Sequence, residues 1–152
     1  MKRTKPPFRA DHVGSLLRPK SIHEARAKRA KGEITAEALH QIEDREIEKV
    51  IKKQEEVGLQ LATDGELRRS WWQFDFFKDL DGVEMVSTGK GIVFAGVETK
   101  AESVRTVGKL GFSGHPHLAD FRFVKDHATV TPKMTIPAPG VLHFRQGRSS
   151  VD

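Results

Sequence analysis

Three polar segments, each at the end of an extended stretch, hold residues that could bind a small charged molecule. They are His12-Val13-Gly14-Ser15, Asp64-Gly65-Glu66 and Ile136-Pro137-Ala138-Pro139. Gly14 and Ser15 offer a closely approachable backbone N–H and a hydroxyl, which suit a carboxylate, and Glu66 offers an anion for an ammonium group. These residues could therefore hold both ends of an amino acid, although residues of these types after strands are also ordinary turn residues.

Other polar residues each admit two interpretations. His12 could be a ligand or acid/base group, or a hydrogen-bonded structural histidine. Arg68 and Arg69 could bind an acidic substrate tail, or could simply solvate a loop. His115 and His117 have a spacing that could serve a metal ion, but no carboxylate or thiolate at a suitable interval completes a site. We therefore predict no metal ligands in this chain.

The composition indicates one soluble domain and limits its chemistry. The chain has 152 residues, 37% of them hydrophobic and 31% charged, and no apolar run approaches the length of a membrane span. No secretion signal is recognisable, so we expect a cytoplasmic protein without a membrane partner. With no cysteine, the chain can form neither a disulfide nor a thiolate ligand.

The net charge of +5 is concentrated at the N-terminus, which raises the question of nucleic-acid binding. Residues 1–32 contain ten Lys/Arg and two Asp/Glu, or +8, which leaves −3 for residues 33–152. The basic residues alternate with alanines on a short predicted helix, and no aromatic side chain lies among them for base stacking. We therefore expect a solvated helix face and no nucleic-acid partner.

The chain reads as a succession of strands and helices of the α/β class. Capping boxes at Ser21 and Ser70 predict helix starts, Thr35 is a plausible N-cap, and Gly32 and Gly58 predict helix ends. The predicted helices are 21–31, 35–57, 70–77, 118–127 and 141–145. The predicted strands are 8–13, 59–63, a hairpin of 83–86 with 92–95, an extended stretch 104–110, and 132–136.

This order indicates a mainly parallel sheet, arranged either as a barrel or as a doubly wound sheet. The sequence contains neither of the nucleotide-binding motifs G-x-G-x-x-G and G-x-x-x-x-G-K-[ST]. The doubly wound alternative therefore lacks the motifs that usually accompany it. Glu43 and Glu46 fall within the apolar half of the long helix. For such buried carboxylates we expect pairing with an arginine.

Three strings of the sequence resemble the cobalamin-independent methionine synthase family, especially its shorter single-barrel members. They are residues 8–19 (FRADHVGSLLRP), 58–69 (GLQLATDGELRR) and 133–139 (KMTIPAP). The resemblance implies an α/β fold: the N-terminal half of a (β/α)₈ TIM barrel with a β-hairpin insertion, in which residues 1–152 form about the first four βα units.

The resemblance also implies a function. The family transfers a methyl group from 5-methyltetrahydrofolate (5-methyltetrahydropteroyltriglutamate), or a related donor, to the thiol of homocysteine, which zinc activates. Carried over, Gly14, Ser15 and Glu66 hold the amino-acid end of a homocysteine-like thiol. With His12 these residues are the predicted substrate-binding set, and the catalytic residues stay unassigned.

The sequence also departs from the family. The family's zinc ligands are His, Cys and Glu residues of the second half of the barrel, whereas this chain has no cysteine, and a complete barrel takes about 250 residues. We therefore expect no zinc and no methyl transfer by this chain alone. Exposed barrel edges favour self-association, so the alternative is a non-catalytic interaction protein. The methyl donor and the thiol acceptor remain open.

Overall fold

The computed structural model describes residues 12–87, 93–94, 97–98 and 101–144, and the chain divides into two compact units. The first unit comprises Met1–Arg69 and Leu118–Thr135, and the second comprises Ser70–His117 and Ile136–Asp152. The helices are α1 (Lys20–Ala30), α2 (Ala36–Glu56), α3 (Phe74–Phe77), α4 (His117–His127) and α5 (Pro139–Phe144). The strands are β1 (Leu61–Ala62), β2 (Asp81–Ser87), β3 (Val93–Phe94), β4 (Val97–Glu98), β5 (Glu102–Gly111) and β6 (Thr131–Pro132). Most of the predicted strand 8–13 lies outside the described residues.

The long helix α2 begins and ends where its local sequence predicts. The Thr35 hydroxyl accepts a hydrogen bond from the Ala38 N–H at 3.1 Å, which satisfies one of the free donors of the first turn. Gly58, at φ 85°, follows the helix in the left-handed conformation that glycine adopts without strain. Both predictions are confirmed.

The core of the first unit is built from one face of α2. Ile47 and Ile51 on that face are fully buried, and they cluster with Ile22 of α1, Leu67 and Val124 of α4. Burial of each large aliphatic side chain contributes about 1.5–3 kcal/mol relative to leaving it exposed. This packing fixes the position of the loop that follows β1.

The strands β1 and β6 pair in parallel, with Ala62 opposite Pro132. The Lys133 N–H donates to the Ala62 carbonyl at 2.8 Å and extends this pairing by one bond. Because the strands are parallel, the residues that follow each of them leave the sheet at the same end. Glu66 and Thr135 are both in this position.

Two predicted capping boxes are wrong. Helix α1 begins at Lys20 after Pro19, without a side-chain cap, so Ser21 already lies within the helix. In the second unit the aromatic helix is only the four residues of α3, which begins after Gln73 without a side-chain cap. The Asp75 carboxylate, inside α3, accepts the backbone N–H groups of Ser70 and Trp71 and so stabilises the turn before the helix.

The second unit contains a long antiparallel ribbon that corrects the predicted hairpin. Strand β2 pairs with the ten-residue β5, with Met85 opposite Val104, whereas Val93–Phe94 pairs with Val97–Glu98. The longer β5 offers β2 more backbone partners than the short segment near residue 93 could. Val104 packs with Phe74 and Phe77 in the core of this unit.

The α/β class is confirmed, and the described strands do not close a barrel. Of their three pairings, only β1 with β6 is parallel. The sequence predicted a mainly parallel sheet with a β-hairpin insertion. The inserted segment does supply antiparallel pairs, but the partner of β2 is β5 and not residues 92–95. Among the described helices, none is both long and apolar enough to cross a membrane.

Candidate functional site

The segment that contains Gly14 and Ser15 is bonded to the loop after β1. The Leu16 N–H donates to the Gly65 carbonyl at 2.9 Å, and the Thr63 hydroxyl donates to the Gly14 carbonyl at 2.8 Å. The same hydroxyl accepts the Gly65 N–H at 3.1 Å. Thr63 is buried, and its hydroxyl therefore joins the two segments that sequence analysis singled out.

Gly14 must be a glycine for two reasons. Its φ is +114°, where side chains are strained, and a Cβ would lie 2.9 Å from Cγ2 of Thr63. The close approach of the Gly14 backbone to the Thr63 side chain thus depends on the absence of a side chain at Gly14. Ser15 is exposed and directly precedes Leu16, whose N–H donates to the Gly65 carbonyl.

Glu66 follows Gly65 and is held in an unusual backbone conformation. Its φ of 55° is the only positive value at a non-glycine residue in the part of the chain that the structure describes. The Glu66 N–H donates to Oδ1 of Asp64 at 2.9 Å, which stabilises this turn. A left-handed residue of this type costs about 1–3 kcal/mol and persists only where its surroundings impose it.

The Glu66 carboxylate takes part in a closed triangle of hydrogen bonds, which we call the Glu66 triangle. Its Oε1 accepts the Thr135 hydroxyl at 2.6 Å and Nη1 of Arg69 at 3.2 Å. Arg69 completes the triangle by donating from Nη2 to the Thr135 carbonyl at 2.6 Å. None of the hydrogen bonds among the described residues engages Oε2.

His12 lies on the same segment as Gly14, and its ring is bonded to β1. Its Nε2 donates to the Leu61 carbonyl at 3.1 Å, and its own carbonyl accepts a hydrogen bond from the Lys133 ammonium group. Both contacts fit the structural interpretation of this histidine. The structure therefore brings Gly14, Ser15 and Glu66 to one place and gives His12 a supporting position beside them.

The Arg68 side chain is only 10% exposed, so its interpretation as a solvated loop residue is wrong. Its Nη2 pairs with Asp44 at 2.6 Å, its Nε pairs with Asp120 at 2.9 Å, and its guanidinium lies over the Phe123 ring at 5.2 Å. Burial raises the pKa of Asp120, while the charge of Arg68 acts in the opposite direction. Arg68 thus ties the loop to α2 and α4 and is not offered to an acidic substrate.

Two arginines that sequence analysis did not assign hold the backbone of the same loop. Arg18 donates to the carbonyls of Glu66 and Arg69 at 3.0 and 2.6 Å. Arg26 donates to the carbonyls of Leu67 and Arg69 at 2.7 and 3.1 Å. The usable signal was helical spacing, because Arg26 lies four residues after the fully buried Ile22.

The predicted pairing of Glu43 with an arginine is confirmed. Oε1 of Glu43 lies 3.2 Å from Nη2 of Arg26, and Oε2 lies 3.9 Å from Nη1 of Arg68. Burial raises the pKa of Glu43, and the hydrogen bond from Arg26 opposes that rise. Glu46 pairs instead with Lys49 at 2.9 Å.

The described residues do not fit a zinc site. No group of three or more His, Asp or Glu side chains among them is arranged to hold a metal ion, and the sequence has no cysteine. His115 is buried, donates from Nε2 to the Phe76 carbonyl at 2.9 Å and accepts the His117 N–H at Nδ1. Both of its ring nitrogens are thus engaged in hydrogen bonds within the chain.

The chain is similar to a family of known proteins. Residues 8–107 match the family model described as cobalamin-independent synthase, catalytic domain. The chain is 53% identical to the uncharacterized protein YxjH of Bacillus subtilis over 144 residues, which are 94% of this chain and 38% of that protein. It is 41% identical over 70 residues to a 5-methyltetrahydropteroyltriglutamate–homocysteine methyltransferase of Bifidobacterium longum, covering 46% of this chain and 9% of that protein.

A solved structure extends the likeness to the fold. The putative vitamin-B12 independent methionine synthase of Listeria monocytogenes superimposes with a TM-score of 0.76 at 43% identity, covering 96% of this chain and 40% of that protein. This chain thus spans about 40% of the length of these relatives. The likeness covers a mixed α/β part of a methionine synthase catalytic domain.

Proposed function

Because this chain belongs to the family of cobalamin-independent synthase catalytic domains, we propose that its first unit binds the amino-acid end of a thiol substrate such as homocysteine. In a complete barrel, that thiol would accept a methyl group from 5-methyltetrahydropteroyltriglutamate or a related donor. The described residues offer no site for the activating zinc, which other residues of such a barrel would hold. The contribution of this chain is therefore to hold and orient the acceptor.

One observation supports this proposal most directly: the hydrogen bond from Leu16 to Gly65. It joins the immediate neighbours of Ser15 and Glu66 and so brings these two residues close together. In the proposed complex, the hydroxyl of one and the carboxylate of the other bind the same ligand. A hydroxyl and an adjacent backbone N–H suit the substrate carboxylate, and Oε2 of Glu66 suits the ammonium group. Two polar ends of opposite charge can then be bound at once.

The proposal predicts selective binding of zwitterions by the purified chain. In an NMR titration of the ¹⁵N-labelled chain, L-homocysteine should shift the amide resonances of Ser15 and Glu66 with one binding constant. Affinity should be weak, on the order of millimolar, because only one end of the substrate is held. The analogues 4-mercaptobutyrate and 3-mercaptopropylamine, which lack the amino and the carboxylate group respectively, should each bind at least tenfold more weakly.

A matched pair of variants assigns the binding to the carboxylate. Glu66→Gln keeps the size of the side chain and removes its charge, and it should abolish the preference for homocysteine over 4-mercaptobutyrate. Glu56→Gln makes the same change at the exposed end of α2 and should leave the preference intact. Equal binding of all three ligands by the unaltered chain would refute the proposed function. We also expect no methyl transfer by the isolated chain, and zinc-dependent turnover would overturn that expectation.

Self-association is a second candidate function, favoured by the apolar residues around Ser15. Val13 is 78% exposed and Leu17 is 95% exposed on the same segment. Large aliphatic side chains exposed together favour contacts with another apolar surface. Light scattering during size-exclusion chromatography should then show dimers that Leu17→Ser converts to monomers, and a monomer at all concentrations excludes this candidate.

A further inference from the structure

Among the described residues, one carboxylate oxygen of Glu66 accepts two hydrogen bonds and the other accepts none, and this asymmetry has an identifiable cause. The Thr135 hydroxyl at 2.6 Å and the Arg69 guanidinium at 3.2 Å both donate to Oε1. Two donors on the same oxygen fix the rotation of the carboxylate, because any other rotation would break at least one bond. Oε2 is then held facing away from both donors.

From this arrangement we infer that Thr135 is a positioning residue that aims Oε2 of Glu66 at the ammonium group of the bound ligand. This inference rests on the proposed function and adds a specificity determinant from a distant part of the sequence. Thr135 follows β6 as Glu66 follows β1, and the parallel pairing of the two strands brings them to the same end of the sheet. Thr135 does not touch the ligand in this account.

Arg69 serves the same end through Thr135. Its Nη2 donates to the Thr135 carbonyl at 2.6 Å, while its own carbonyl accepts from Arg18 and Arg26. The backbone of Thr135 is therefore anchored to the loop that contains Glu66. With the left-handed φ of 55° at Glu66, these bonds leave the carboxylate little freedom, so it need not be ordered when the ligand binds.

The inference makes a prediction that a purely structural role would not. Removing the Thr135 hydroxyl should weaken only the part of the affinity that depends on the ligand's ammonium group. Thr135→Val should therefore lower the affinity for L-homocysteine about tenfold, the usual weight of one hydrogen bond to a charged group. It should leave the affinity for 4-mercaptobutyrate, which has no amino group, unchanged.

The controls follow from the same chemistry. Thr135→Ser keeps the hydroxyl and should restore discrimination between the two ligands. Thr106→Val makes the same substitution on β5, in the other unit, and should have no effect. Should Thr135→Val fail to fold by circular dichroism, Thr135→Ala removes the same hydroxyl with a smaller side chain.

The outcomes separate this inference from the function on which it rests. If the unaltered chain does not prefer homocysteine to 4-mercaptobutyrate, the proposed function fails and this inference fails with it. If the unaltered chain discriminates and Thr135→Val discriminates equally well, the inference alone is overturned. An equal loss of both affinities in Thr135→Val also overturns it, since that result shows a structural role.

Discussion

Replacing Gly14 by alanine should destabilise the chain through two separable effects. The new Cβ would lie 2.9 Å from Cγ2 of Thr63, at a backbone φ of +114°. The steric overlap should cost about 1–3 kcal/mol, and the strained backbone should cost about 1–3 kcal/mol more. Rotating the Thr63 side chain away would break the hydrogen bonds of its hydroxyl with Gly14 and Gly65. The steric overlap therefore cannot be relieved without losing these bonds.

The substitution Thr63→Ser isolates the steric part, because it deletes Cγ2 and keeps the hydroxyl. The remaining Thr63 atoms near the new Cβ lie at 3.6 Å, which is ordinary contact. Thr63→Ser alone should cost about 1 kcal/mol, the value of one buried methyl group. The double variant should therefore be less destabilised than the sum of the single variants, by about 1–3 kcal/mol.

Urea unfolding followed by circular dichroism measures all four proteins of this cycle. With a slope of about 2 kcal/mol/M, the coupling corresponds to a difference of about 0.5–1.5 M between the observed and the additive midpoints. Additivity to within about 0.5 kcal/mol would mean that the two residues do not meet. The close approach of the Thr63 side chain to the Gly14 backbone, on which the candidate site depends, would then be refuted.

Two further predictions follow from carboxylates with shifted pKa values. Burial raises the pKa of Glu43 above 4.5, so the stability that Glu43 contributes is complete below about pH 4.5 and is lost as the pH rises through the folded-state pKa. The difference in unfolding free energy between the unaltered chain and Glu43→Gln should therefore decrease over that interval, and a constant difference would count against the burial. Asp75 has the opposite behaviour. Burial acts to raise its pKa, but the N–H groups of Trp71 and Ser70 lower the pKa below 3.8. The stability that Asp75 contributes is therefore present above about pH 3.8 and is lost as the pH falls through the folded-state pKa. Asp75→Asn replaces the charged acceptor by a neutral one, so it should cost about 1–2 kcal/mol and accelerate hydrogen exchange at the Trp71 amide. Unchanged exchange there would contradict the hydrogen bond assigned to Asp75.

Local features of the fold were predictable from the sequence, whereas pairings between distant segments were not. Thr35 and Gly58 bound α2 correctly because a helix cap involves residues within one turn. The pairing of β2 with β5 joins residues that are distant in sequence, such as Met85 and Val104. Residues 92–95 lie nearer to β2 and have an apolar pattern that fits a strand equally well. The alternation of apolar and polar residues along a strand indicates which face of the sheet each residue occupies. It does not determine which other strand pairs with it.

The same distinction applies to the candidate site. Gly14, Ser15 and Glu66 could be proposed because strand ends gather at one end of a parallel sheet. The role of Thr135 could not, since its hydroxyl reaches Glu66 across 69 residues of sequence. Adjacent arginines are usually solvated, and only the folded chain reveals that Arg68 and Arg69 are enclosed by carboxylates and carbonyl groups.

The central claim is that the Gly14-Ser15 segment and Glu66 form a single receptor for a small zwitterion. Intermolecular nuclear Overhauser effects from the Hα of ¹³C-labelled L-homocysteine test it most directly, because the Hα lies between the two charged groups of the ligand. The account predicts contacts to Hβ of Ser15 and to Hγ of Glu66 within the same complex. Contact with one of these residues and not with the other, at saturating ligand, would contradict it.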